Sequence, residues 1–157
     1  FLDGMALATI TGRCWTGMTS KLAGFVAVRE QDAWLLGARD LDAVEEELLL
    51  DSPVGRVAAD GIGADLAERV RRDLDGPQSL HVHLDLDVLD SSEGRVNEFA
   101  CDGGVTTAKL TDAMRGLGTL ENVSSLTLSA YDPAYDTDGR VAEVALGVLE
   151  AFFGQGS

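Results

Sequence analysis

Residues 81–90 read His-Val-His-Leu-Asp-Leu-Asp-Val-Leu-Asp, and no other stretch limits the possible folds so tightly. Leu80, Val82, Leu84 and Leu86 alternate with His81, His83, Asp85 and Asp87, which is the two-residue period of a β-strand. So dense an aliphatic row predicts a strand buried in a helix-covered sheet. Carboxylates are costly in such a strand unless they meet a cation or stand where the sheet opens to solvent. The C-terminal edge of a parallel sheet is such a place, and open α/β sheets build their sites there. The period puts Asp85 and Asp87 on one face with Cα atoms roughly 6–7 Å apart. That spacing lets two carboxylates converge on one metal ion or on a pair roughly 3.5–4 Å apart. The plainer alternative is a solvated strand end followed by an Asp-rich turn.

The rest of the chain alternates helical and extended patterns. Asp3 to about Cys14 reads as a helix capped by Asp3. Gly24–Val28 is a short strand or a loop, and Ala33–Gly37 a short buried strand. Asp40 or Asp42 then caps an acidic helix through Leu50, with Glu45, Glu46 and Glu47 where the helix dipole favours them. Leu66, Val70 and Leu74 mark a helix over Gly61–Asp75. After the Asp-bearing strand, a turn-rich loop runs to Gly104, and Thr106 or Thr107 caps a helix through about Leu117. Val123–Ser129 is a further strand, and Val141–Phe153 a terminal apolar helix. This alternation implies βαβ units and a parallel sheet. The 157 residues fit one domain, with no internal repeat or linker, and Trp15 and Trp34 are expected in its core.

The 27 acidic and 12 basic residues give a formal charge of −15, which argues against nucleic-acid binding. No apolar stretch is long enough to span a bilayer, so no membrane partner is expected. Cys14 and Cys101 lack the spacing of a thiolate metal site or a disulfide framework, and a reducing cytoplasm is the simplest setting. The chain opens Phe1-Leu2-Asp3 without an initiator Met and runs at once into helix-like sequence, so an upstream segment is expected to be missing.

Several segments, in order, resemble one family, the ureohydrolases: arginase, agmatinase, formiminoglutamase and their relatives. Leu2-Asp-Gly-Met-Ala-Leu-Ala8 is similar to the family's His-Gly-Met-Pro-Leu-Ala helix start. Leu36-Gly-Ala-Arg-Asp-Leu-Asp42 with Glu45 resembles Gly-x-Arg-Asp-x-Asp-x-x-Glu, and residues 83–90 resemble Ser-x-Asp-x-Asp-x-x-Asp-Pro. Gly103-Gly104-Val-Thr matches a Gly-Gly-Leu-Thr helix opening, and Tyr131-Asp-Pro133 with Asp136 resembles Glu-x-Asn-Pro…Asp. The resemblance covers nearly the whole chain but only the C-terminal half of the family pattern. It implies a three-layer α/β/α fold with a mostly parallel sheet, the N-terminal part absent. It also implies a binuclear manganese hydrolase of C–N bonds in small guanidino or formimino compounds, expected to be a homo-oligomer when intact. Carried over residue by residue, Asp85 bridges both metals, Asp87 binds one, and Asp90 supports the adjoining loop. His83, where the family has a small polar residue, is expected beside the ligands rather than among them. His81, farther back on the strand, is expected to be structural.

The chain also departs from the pattern. Asp3 stands where the family has a proton-shuttling His, as a candidate catalytic group whose ordinary pKa near 3.9 is poorly matched to neutral pH. Ala130 occupies the place of the Glu that pairs with a guanidinium, leaving Asp132 as the candidate substrate contact. The upstream ligand motifs Gly-Gly-Asp-His and Asp-Ala-His-x-Asp are not in these residues, so the fragment alone is expected to be inactive. A non-catalytic, truncated scaffold or interaction protein is the alternative. A haloacid-dehalogenase-type phosphatase expects its Asp-x-Asp near the start of the domain, and an EF-hand fails because Leu89 falls on a ligand position. The cluster Arg39, Asp40, Asp42 and Glu45 is read as a helix cap with ion pairs, or as part of a subunit interface.

Overall fold

The computed structural model describes residues 3–73 and 79–154, the side chain of Asp3 excepted. The chain resolves into two units, Phe1–Leu35 with Leu41–Arg56, and Leu36–Asp40 with Val57–Ser157.

In the first unit, a 3-10 turn at Asp3–Met5 leads into α1 (Ala6–Ile10). The helix expected to reach Cys14 stops early. Thr9 and Thr11 turn their hydroxyls back onto the carbonyls of Met5 and Leu7, each at 2.8 Å, and Gly12 follows with φ 80°. A single turn, α2 (Thr16–Thr19), follows Trp15, which is 47% exposed and so outside the core. Residues 25–29 form a loop. The expected strand appears as β1 (Trp34–Leu36), half-buried. The acidic helix is α3 (Ala43–Leu50), closed by a capping box in which Asp42 accepts from Val44 N and Glu45 N while Glu45 accepts from Asp42 N.

β1 pairs with β2 (Gly55–Val57), a strand too short to show a period. Gly55 N donates to Ala33 O at 2.9 Å and Gly37 N to Val57 O at 2.8 Å, so the bonds advance along both strands in the same sense, as in parallel pairing. The boundary between the units passes through both strands.

The second unit carries α4 (Leu66–Asp73), β3 (Leu80–Asp85), α5 (Thr107–Leu117), β4 (Val123–Ser129) and α6 (Arg140–Phe153). α4 starts later than its spacing predicts because a 3-10 turn at Ala59–Gly61 and then Gly63 precede it; Leu74 lies outside the described residues. β3 and β4 are parallel, with Leu84 opposite Leu128 and Asp85 opposite Ser129, and α5 is the crossover between them. Thr106 caps α5, as expected, by accepting from Lys109 N. α5 packs on α4 and α6 around Leu110, Ala113, Met114, Leu117, Val148 and Phe152. At the end of α5 backbone meets backbone: a Cβ on Gly118 would lie 2.0 Å from Phe152 O. One side of β3 is buried at Leu84, whereas His81, His83 and Asp85 are exposed on the other. Within this unit the strand is therefore covered on one face only.

Candidate metal centre

β3 ends at Asp85, and a 3-10 turn, Leu86–Val88, begins there. The two-residue period therefore does not carry through to Asp87. The two acids are joined differently: Asp85 Oδ1 accepts from the Asp87 N–H at 2.8 Å. Leu86 and Leu89, 0% and 2% exposed, hold the turn on the core, and each contributes about 1.5–3 kcal/mol by its burial. Leu89 bridges to Val105, Asp90 N donates to Val105 O at 3.0 Å, and Val105 N donates to Val88 O at 2.8 Å.

Asp85 is exposed. Asp87 is half-buried, and its Oδ1 is a buried oxygen that meets no hydrogen-bond donor. Buried carboxylate oxygens are nearly always satisfied, so an orphan of this kind calls for an explanation. An oxygen of this kind suits a hard divalent cation such as manganese, which takes carboxylate ligands. Among the described residues, no set of three or more His, Cys, Asp and Glu side chains converges to hold a metal.

The histidines lie behind the acids on the open face of β3. His83 Nε2 meets Ser129 Oγ at 2.7 Å, and His81 Nδ1 meets Ser125 Oγ at 2.8 Å. Ser129 is the last residue of β4, directly across from Asp85. Its proximity follows from the strand register, which the sequence does not display.

Asp90 is saturated. Its carboxylate accepts from Ser92 Oγ, from Ser92 N at 3.0 Å, and from Gly103 N and Gly104 N at 2.8 and 3.1 Å. The Ser92 hydroxyl, with these backbone N–H groups, holds its carboxyl down to about 2. It ties the turn after β3 to the start of α5. Gly104 is required there, because a Cβ would lie 2.4 Å from Asp90 N.

Arg39, expected with Asp40, Asp42 and Glu45 in a cap with ion pairs or in a subunit interface, reaches the turn after β3. Its Nη2 donates to the carbonyls of Asp87 (2.7 Å), Leu89 (3.1 Å) and Cys101 (3.0 Å).

After β4, Ala130 adopts φ 66°, and its carbonyl accepts from Asn97 Nδ2 at 3.1 Å. Asp132 is half-buried; its N–H donates to Val96 O at 2.9 Å, and its Oδ1 accepts from Ala134 N at 2.9 Å. Asp136, 8% exposed, accepts from Tyr131 Oη, Val141 N and Ala142 N, each at 2.9 Å. Burial pushes the Asp136 carboxyl up, but the two N–H groups and the phenol outweigh that and hold it below the usual range. The Asp3 side chain lies outside the described residues.

A family profile described as the Arginase family matches residues 8–154. The arginase of Staphylococcus aureus is 26% identical over 163 residues, covering 98% of this chain and 52% of that protein. Among solved structures, Bacillus subtilis arginase superposes with a TM-score of 0.87 at 23% identity, covering 98% of this chain and 54% of the other. The formimidoylglutamase of the same species superposes at 0.69 with 22% identity, covering 87% and 45%. The chain spans about half the length of the curated relatives it matches. The α/β architecture with parallel strands is thus part of an arginase-type fold.

Proposed function

The chain belongs to the arginase family, and from that premise we propose that it is the C-terminal portion of a manganese-dependent hydrolase of C–N bonds in guanidino or formimino compounds. One observation carries the reading: the Asp85–Asp87 turn closes β3 and leaves a buried carboxylate oxygen of Asp87 without a donor. Asp85 and Asp87 would hold the cation, with further donors supplied from outside the described residues. A manganese ion held there would supply an acidified water near neutral pH and a Lewis acid for the substrate. His83 steadies the end of β4 through Ser129, and Asp90 holds the turn in place. The cytoplasm and a homo-oligomeric state belong to the same proposal. No described helix is long and apolar enough to cross a membrane.

This chain departs from the family pattern at the place where a guanidinium substrate is paired. With Ala130 in the place of the family's Glu, a guanidinium loses its carboxylate partner, and Asp132, already engaged with Ala134 N, offers one oxygen in its stead. A role for Asp3 in proton transfer is part of this reading.

Manganese titration of the full-length protein beside its Asp85→Asn variant tests the proposal. The variant is expected to lose manganese, and an unchanged metal content would refute the assignment. The 157 residues alone are expected to release neither urea nor ammonia from arginine, agmatine or guanidinobutyrate; release would show that two carboxylates suffice. A full-length protein that binds no manganese would favour the non-catalytic scaffold.

A further inference from the structure

Arg39 has no place in the reading above, yet two of its three contacts fall at the turn that carries Asp87 and the third at the far end of the loop that follows. The stretch Gly37–Asp40 belongs to the same compact unit as that turn. Gly37 (φ 70°) and Asp40 (φ 59°) bracket it with left-handed backbone. A Cβ on Gly37 would lie 2.6 Å from Val88 Cγ2, so the loop is pressed directly onto the residue after Asp87. From there a single guanidinium nitrogen serves three carbonyls, those of Asp87, Leu89 and Cys101, at 2.7–3.1 Å. Its two N–H groups must be shared among three acceptors.

What the guanidinium leaves alone is equally informative. Arg39 Nε is buried without a partner, and so is Asp87 Oδ1. An arginine this close to an aspartate ordinarily forms a forked pair with the carboxylate. Here Arg39 grips the aspartate's main chain instead, and the carboxylate oxygen stays unclaimed. Its contacts reach 48, 50 and 62 residues along the chain, joining both ends of the loop that follows β3.

We infer that Arg39 is the positioning residue for Asp87, fixing the backbone of the turn so that the carboxylate is held open for a divalent cation. This rests on the reading of Asp87 as a metal ligand. Groups that orient a ligand without touching the metal typically change metal affinity 10–100-fold when removed.

The test uses the full-length protein, with manganese(II) alone as probe, in calorimetric titrations of the parent, Asp87→Asn, Arg39→Met and Arg39→Lys, each with a melting curve in chelator. Arg39→Met is expected to weaken manganese binding by roughly 10–100-fold. Arg39→Lys, which keeps the charge but shortens the reach, should recover part of that loss. An effect on affinity larger than any effect on metal-free melting separates positioning from mere stability. If Asp87→Asn weakens binding while Arg39→Met binds within about twofold of the parent, the inference on Arg39 falls and the metal reading stands. If Asp87→Asn binds like the parent, the metal reading falls and takes this inference with it. Should Arg39→Met fail to melt cooperatively, Arg39→Lys decides: parental affinity overturns the inference, and weakened affinity supports it.

Discussion

The loop after β4 buries Asp136 and the turn after β3 half-buries Asp87, and the two carboxylates are treated in opposite ways. After β4, Asp136 takes three donors at 2.9 Å and fastens the start of α6. After β3, Asp87 keeps a buried oxygen with no donor, although the backbone around it is bonded from several sides. A saturated carboxylate is part of the scaffold. An unsaturated one, held in a saturated frame, calls for an explanation of its own. Asp90, in the same loop as Asp87, belongs with Asp136, since four donors fill it.

Substitution in the full-length protein can break this contrast. Asp136→Ala strips a partner from three donors at once at an almost buried site, and the largest fall in metal-free melting temperature is expected there. Gly104→Ala should cost about 1–3 kcal/mol in urea unfolding, because the new methyl would meet main-chain atoms that cannot step aside.

Asp90→Asn should show its effect in the acid limb. A carboxyl held at about 2 in the fold, against roughly 3.9 unfolded, stabilises above the unfolded value and loses that contribution as pH falls toward 2. The stability gap between parent and variant should therefore narrow between about pH 5 and about pH 2.5 in urea titrations. Asp87→Asn is expected to be the mildest, changing metal-free stability by less than about 1 kcal/mol because it removes no donor from Oδ1. A large destabilisation in chelator would place Asp87 with Asp136 and erase the contrast.

Local chemistry made much of the second unit legible in sequence. The two-residue alternation located β3, the stretch Val123–Ser129 was legible as β4, and Thr106 or Thr107 marked the start of α5. Asp40 or Asp42 likewise announced α3, and the structure settles on Asp42, with Glu45 completing a capping box that the reading by helix dipole did not name. Gly55–Val57 was missed since three residues cannot show a period, and Trp15 was misjudged because aromatic size says nothing of which way a left-handed turn points. At the candidate site, the paired acids were visible but their geometry was not. A strand period cannot foretell the 3-10 turn that ends it at Asp85. The role of Arg39 was hidden because its partners lie far away in sequence and are carbonyls, which every residue has.

The bare contact between Gly118 and Phe152 sets a limit on redesign of this half of the fold. With only hydrogen between two main chains, α5 and α6 already sit at their minimum separation there, and no choice of neighbouring side chains can draw them nearer. Residues such as Ala113, Met114 and Val148 can be exchanged to tune fit, but position 118 works as a fixed stop. A library that varies the interior while leaving that glycine untouched would explore packing without altering the helix spacing.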